Sequence, residues 1–253
     1  MIAAIIQARM SSTRLPGKVL LPLAGYAALF HVVERVKRAP GIDSVIVATS
    51  VAPEDDEIVD FCTEHGYTHF RGSQDDVLSR YFEAAKTGPF DPVVRITSDC
   101  PLIDPSVLSE LVQNFGAGRY DYQSNIAPNT RTFPRGLDCE IFSFAALERA
   151  HREAKNPYER EHVTPYIHEN KKEDFVIGPQ LVARDIYARP QFRLTLDYEE
   201  DYELLSHLYE RFYEKKGDIL HVPDVLAYLD AHPEMVSLNA FRDAEYPTKG
   251  IRA

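Results

Sequence analysis

A chain of 253 residues, 44% hydrophobic and 26% charged, can bury a substantial core, and its length predicts a single domain over 1–253. A net charge of −11 with no basic stripe argues against wholesale nucleic-acid binding, and no apolar run reaches the ~18 residues that suggest a membrane span. Cys62, Cys100 and Cys139 are odd in number and widely spaced, and Met1 leads straight into an apolar run, so the chain reads as a cytoplasmic protein with reduced thiols.

The first element sets the frame. Ile2 to Ile6 is short, apolar and β-branched, which suits a strand buried on both faces. Polar chemistry follows at once: Gln7, Arg9, Ser11, Ser12, Thr13, Arg14, Gly17 and Lys18. A loop at the carboxyl end of a parallel strand is where open α/β sheets bind ligands. Cations, hydroxyls and backbone N–H groups in such a loop suit a ligand with many anionic oxygens, such as a triphosphate. An acidic protein that binds such an anion must concentrate its cations locally or recruit a metal. The loop is not a Walker A motif, because no glycine stands five residues before Gly17 and Val19 follows Lys18.

Periodicity predicts a helix over Ala27–Arg38 closed by Pro40-Gly41, and a buried strand over Ser44–Thr49. A helix over Glu54–His65 stops at Gly66, and a brief strand over Tyr67–Phe70 follows. Next comes a helix to about Lys86, capped by Asp75 or Ser73. Pro92–Thr97 reads as a strand and Pro105–Phe115 as a helix. This β-α alternation over 1–115 predicts an α/β, Rossmann-like nucleotide-binding half, with a mostly parallel sheet and helices on both faces, but without G-x-G-x-x-G.

The half from 116 to 253 is less regular. Strands are expected over Asp121–Ile126, Leu137–Phe142, Phe175–Ile177 and Phe192–Leu196, with a Pro/Arg/Thr-rich loop over Ala127–Gly136. Helices are expected over Phe144–Lys155, Tyr158–Glu169, Glu199–Glu214 and Val222–Ala231, and the tail from Ser237 has weak periodicity.

Two aspartates end strand-like runs at the ligand edge of such a sheet. Asp99 reads either as a Mg²⁺ ligand or as a turn cap near Pro101 and Asp104. Asp197 reads either as a second ligand or as an N-cap with Glu200 in the capping-box position. Together they favour the metal, since Mg²⁺ is usually held by one or two carboxylates plus substrate phosphates. An Arg-rich loop carrying Arg131 and Arg135 could clamp an anionic acceptor. His162 reads as an ordinary buried or surface helical histidine.

The run Ile5-Ile6-Gln7-Ala8-Arg9-Met10-Ser11-Ser12-Thr13-Arg14-Leu15-Pro16-Gly17-Lys18 resembles the N-terminal signature of the cytidylyltransferases that activate sugar acids, the CMP-Kdo synthetase type among them. It is most similar to the spore-coat polysaccharide biosynthesis protein F branch. The resemblance implies that Ala8, Arg9, Ser11, Ser12, Thr13, Arg14 and Lys18 hold the phosphates of CTP, with Arg9, Arg14 and Lys18 acting catalytically. It implies that Arg71-Gly72-Ser73 meets the cytosine and ribose, and that Asp99 and Asp197 hold Mg²⁺. Pro-Arg-Gly-Leu-Asp over 134–138 and Glu-Arg-Glu-His-Val-Thr-Pro over 159–165 also resemble the spore-coat branch. Thr97-Ser98-Asp99-Cys100-Pro101 departs from the Gly-Asp-Glu-Pro of the Kdo enzymes, which leaves the acceptor open.

The expected activity is therefore Mg²⁺-dependent transfer of CMP from CTP to a sugar acid or a sugar or polyol phosphate, with release of pyrophosphate. A homodimer through the irregular half is expected, with no nucleic-acid or membrane partner. A glycosyltransferase would share the nucleotide-binding half, yet Asp99-Cys-Pro-Leu is not Asp-x-Asp. A non-catalytic nucleotide sensor would lack a site element, whereas the loop cations and both aspartates are present.

Overall fold

The computed structural model describes residues 1–126, 130–169, 174–213 and 218–245. Residues 127–129 of the Arg-rich loop, Glu214 at the expected end of a helix, and the tail past 245 lie outside the described residues.

The apolar N-terminal run forms β1 (Ala3–Gln7), and a tight hairpin, β2 (Pro22–Leu23) and β3 (Tyr26–Ala27), leads into α1 (Ala28–Val36). There follow β4 (Ser44–Ser50), α2 (Asp56–His65), β5 (His69–Gly72), α3 (Val77–Ala85), β6 (Val93–Thr97) and α4 (Pro105–Ala117). The sheet is completed by β7 (Tyr122–Ser124) and β8 (Glu140–Phe142), so the second half contributes strands to the sheet of the first. Its order is β5-β4-β1-β6-β8-β7, with the first four strands parallel and β8 antiparallel to both β6 and β7. This is the expected mostly parallel, Rossmann-like sheet.

Alternation along the strands builds a core on each face. Ala4 and Ile6 of β1 pack with Val47, Val94 and Ile96 under α1 and α4, while Ile5 packs with Ile46 and Val93 under α3. The first face is also covered by α8 (Glu199–Phe212) and α9 (Val222–Ala231), the second by α5 (Phe144–Glu153). Helices therefore cover both faces, as parallel sheets require. Among the described residues no helix is long and apolar enough to cross a membrane. Cys62, Cys100 and Cys139 are buried and unpaired.

Three expected elements differ. The stretch Tyr158–Glu169 is not one helix but two, α6 (Pro157–His162) and α7 (Pro165–His168). Pro165 lacks the N–H that a continuous helix would use, and Val163 turns the chain with φ 72°. Phe192–Leu196 is extended and buried, but among the described residues it makes a single bridge, Arg135 to Arg193, and no ladder. Its hydrogen bonds go to loops: Leu194 N–H donates to Arg135 O (2.7 Å) and Leu196 N–H to Asp99 O (2.8 Å). Among the described residues Phe175–Ile177 likewise forms no ladder: Ile177 bridges Tyr122 and Val176 O accepts the Asp121 N–H at 2.7 Å, beside the edge strand β7.

The candidate active site

Chain order places the site. From β1 the chain moves outward to β4 and β5, then returns to the other side of β1 as β6. The loops leaving β1 and β6 therefore diverge at the point where strand order reverses, where open α/β sheets bind ligands. Tyr81 of α3 ties the two strands together there, its hydroxyl shared between Ile5 O and Ile96 O at 3.1 Å each.

A cavity of about 410 Å³ opens between these loops, a size suited to a small ligand. Ala8, Arg9, Ser11, Ser12, Thr13, Arg14 and Lys18 all line it, together with Asp99 and Asp197. The loop is held from below by Asp55, 1% exposed, whose carboxylate accepts the N–H of Met10 (2.7 Å) and of Ser50 (3.1 Å). Gly17, with φ 67°, turns the chain so that its N–H donates to Met10 O at 3.1 Å.

Lys18 is the central cation. Its Nζ donates to Asp99 Oδ2 at 3.0 Å and to Asp197 Oδ1 at 2.8 Å, and Arg14 Nη2 reaches the same Asp197 oxygen at 2.7 Å. Burial works against the charge of Lys18, but the two carboxylates outweigh it and raise its pKa. Burial likewise pushes the Asp99 carboxyl up, and Lys18 together with hydrogen bonds from Thr97 and Cys100 brings it below the usual carboxylate range. Both charges are therefore kept at neutral pH.

Asp197 reaches the site through the extended segment. Thr195 Oγ1 and the Leu196 N–H both donate to Asp99 O, at 3.1 and 2.8 Å, so the two aspartate-bearing segments are fastened to each other. Asp197 is not the helix cap considered from sequence. Asp201 folds back instead, its Oδ2 accepting the N–H groups of Asp197 (2.9 Å) and Tyr198 (3.0 Å), while Glu200 pairs with Arg242. The cap of α3 also shifts: Asp76 accepts the Ser79 N–H at 2.9 Å, and Ser73 Oγ accepts from Asp76.

Arg71, Gly72 and Ser73 are not brought to this cavity. Arg71 directs its guanidinium to Ser50 O (2.9 Å), Ala52 O (3.0 Å) and Asp56 (2.6 Å), bracing the loop after β4. Arg131 pairs with Asp138 and Arg135 with Asp243, and neither lines the cavity. Arg80 and Arg95, which the sequence did not single out, also line it, as do Glu161 and the exposed His162 of the segment 159–165. Arg95 stands mid-strand in β6 and Arg80 inside an amphipathic helix, where a charged residue signals nothing unusual. Burial opposes the charge of Arg95, and its ion pair with buried Glu140 more than restores it. The lining thus gathers Arg9, Arg14, Lys18, Arg80 and Arg95 in a protein of net charge −11.

A family model for cytidylyltransferases matches residues 3–220. The chain belongs to the cytidylyltransferase family. This cytidylyltransferase is 32% identical over 243 residues to the spore coat polysaccharide biosynthesis protein SpsF of Bacillus subtilis, covering 92% of this chain and 95% of that protein. It is 38% identical over 120 residues to the 3-deoxy-manno-octulosonate cytidylyltransferase of Anaeromyxobacter dehalogenans, a match covering 46% of this chain and 48% of the relative. A solved cytidylyltransferase from Leptospira borgpetersenii superposes with a TM-score of 0.82 at 37% identity, covering 93% of this chain and 96% of that one. The fold and the enzyme class expected from the first loop therefore hold.

Proposed function

We propose that the enzyme transfers CMP from CTP to an anionic sugar, a sugar acid or sugar phosphate destined for a surface glycan, with release of pyrophosphate and dependence on Mg²⁺. The observation that carries this reading is the convergence of Asp99 and Asp197, from separate segments, on the single ammonium of Lys18 inside a cation-lined cavity. The relatives' names supply the glycan and sugar-acid context.

The donor set fits the metal. Among the described residues no cluster of three or more metal-ligating side chains occurs. Mg²⁺ needs only one or two carboxylates when phosphates and water complete its shell. Two carboxylates close enough to share one ammonium have the charge and spacing to share a cation with substrate phosphate. Bound between Asp99, Asp197 and phosphate, Mg²⁺ would supply Lewis-acid neutralisation of developing charge.

The chain's own groups account for the remaining tasks. Arg9, Arg14 and Lys18 hold the β- and γ-phosphates and offset charge on the departing pyrophosphate. The hydroxyls of 11–13 orient the triphosphate, and positioning of this kind supplies much of the catalysis in phosphoryl chemistry. On α6, Glu161 and His162 face the same space, and either can take a proton from an acceptor hydroxyl. An acceptor that is already a phosphate needs no such base.

The test is pyrophosphate release with each of the four NTPs, Mg²⁺ and a panel of sugar acids and sugar phosphates. Release with CTP and one acceptor class, lost in Asp99→Ala and Asp197→Ala, is the expected result. Consumption of nucleotide-sugars without pyrophosphate release from any pair would overturn the reading in favour of glycosyl transfer.

A further inference from the structure

The family match ends at residue 220, yet the chain beyond it returns to the site. After α9 comes α10 (Pro233–Ser237), then a 3-10 turn over Ala240–Glu245. Asn239, 1% exposed, donates its Nδ2 to Arg193 O at 2.9 Å and to Asp201 Oδ1 at 2.8 Å. Asp243 Oδ1 accepts from Arg193 Nη1 at 2.9 Å and from Arg135 Nε at 3.0 Å. The turn therefore grips both residues of the bridge that supports the Asp197 segment.

Arg193 is the intermediary. Its side chain is fully buried, and Asp201 fixes the guanidinium plane with two parallel bonds, Nε to Oδ1 (2.8 Å) and Nη2 to Oδ2 (2.9 Å). Nη1 is held by Asp243, and Nη2 also reaches Asp197 Oδ2 at 3.2 Å. The two oxygens of Asp197 thus have divided roles: Oδ1 faces Arg14 and Lys18, and Oδ2 is held by Arg193. An independent contact points the same way. The ring of Tyr198 lies under Arg242 of the turn at 4.2 Å and under Arg14 of the phosphate loop at 5.1 Å.

We infer that Asp243 is a positioning residue: through Arg193 it fixes the carboxylate of Asp197, so that the turn over 239–243 completes the active site. Without Asp243, a buried guanidinium loses one of its carboxylate partners. Its charge then falls more heavily on Asp197, in competition with the metal, and its plane loses one of its fixed edges. Carboxylates that ligate metals depend in this way on hydrogen-bonded partners behind them. The inference rests on the reading of Asp197 as a metal-holding carboxylate.

The experiment titrates Mn²⁺ into the full-length enzyme with α,β-methylene-CTP and no acceptor, following free Mn²⁺ by electron paramagnetic resonance. Wild type, Asp197→Ala, Asp243→Ala and Asp243→Asn are compared, with thermal melts of each. The expected result is a Mn²⁺ affinity weakened roughly 10- to 100-fold in Asp243→Ala, with a smaller loss in Asp243→Asn, which keeps an acceptor oxygen for both arginines. Wild-type affinity in a folded Asp243→Ala or Asp243→Asn, with affinity lost in Asp197→Ala, would overturn the inference and leave the metal site standing. Wild-type affinity in Asp197→Ala would remove the metal reading, and the inference with it. If Asp243→Ala does not fold, the Asp243→Asn titration decides alone.

Discussion

Lys18 does at the residue scale what the whole protein cannot do by net charge. It holds two carboxylates together while remaining charged itself, its pKa raised by the pair it bridges. Lys18→Met should cost roughly 10²- to 10³-fold in kcat, the scale seen when one fixed donor to developing charge is removed. Measured with CTP and its acceptor under saturating Mg²⁺, a loss below fivefold would mean that the leaving phosphates are held elsewhere. Asp99 and Asp197 stand out in the sequence as candidates because each ends an apolar run. Arg193 does not, since in Phe192-Arg-Leu-Thr-Leu196 a cation at an alternate position reads as a solvent-facing residue. Its burial depends on Asp201 and Asp243, and Asp243 lies 50 residues away in a tail without periodicity. Arg71 illustrates the converse: its local motif suggests contact with the base, whereas its donors go to backbone oxygens that only the folded loop after β4 presents.

Among the elements, the extended run 192–196 matters more than any regular strand of the second half. Its apolar alternation was readable, but its partners were not, because they are turns contributed by residues 99 and 135. The approach is close: a Cβ on Gly136, whose φ is 102°, would lie 2.5 Å from the carbonyl carbon of Leu194. Gly136→Ala must therefore move the run that delivers Asp197, on top of ~1 kcal/mol or more for a left-handed alanine. The expected outcome is a lowered Tm, with kcat falling more than the KM for CTP rises, since the phosphate loop is untouched. A rise in KM at constant kcat would show instead that the run serves nucleotide binding. The division into α6 and α7 has a similar lesson, as Pro165 gave the local signal and the apolar period around it concealed the break.

For the whole molecule, β1 is the element whose reading carried furthest. A run buried on both faces must sit between other strands, and it does, with β4 and β6 as parallel neighbours. Its following loop is thereby delivered to the reversal of strand order, which is why the candidate site is legible in the sequence. The same packing that buries this sheet encloses His31 of α1, 3% exposed, with Nε2 2.8 Å from Leu23 O and its ring 4.2 Å from that of Tyr209 on α8. Burial lowers its pKa from 6.5 to about 4, and the nearby Arg35 adds to the effect. Between those values the unfolded chain binds the proton that the folded chain refuses. The stability contributed by neutral His31 is complete above about pH 6.5, falls as the pH falls, and is gone below about 4. The full swing is up to about 3 kcal/mol, a sizeable part of ordinary protein stability. Urea denaturation at pH 7.5 and pH 5 should show a marked loss in the wild type, and a smaller one in His31→Gln, which cannot titrate. Equal losses in the two proteins would place the acid sensitivity in other groups.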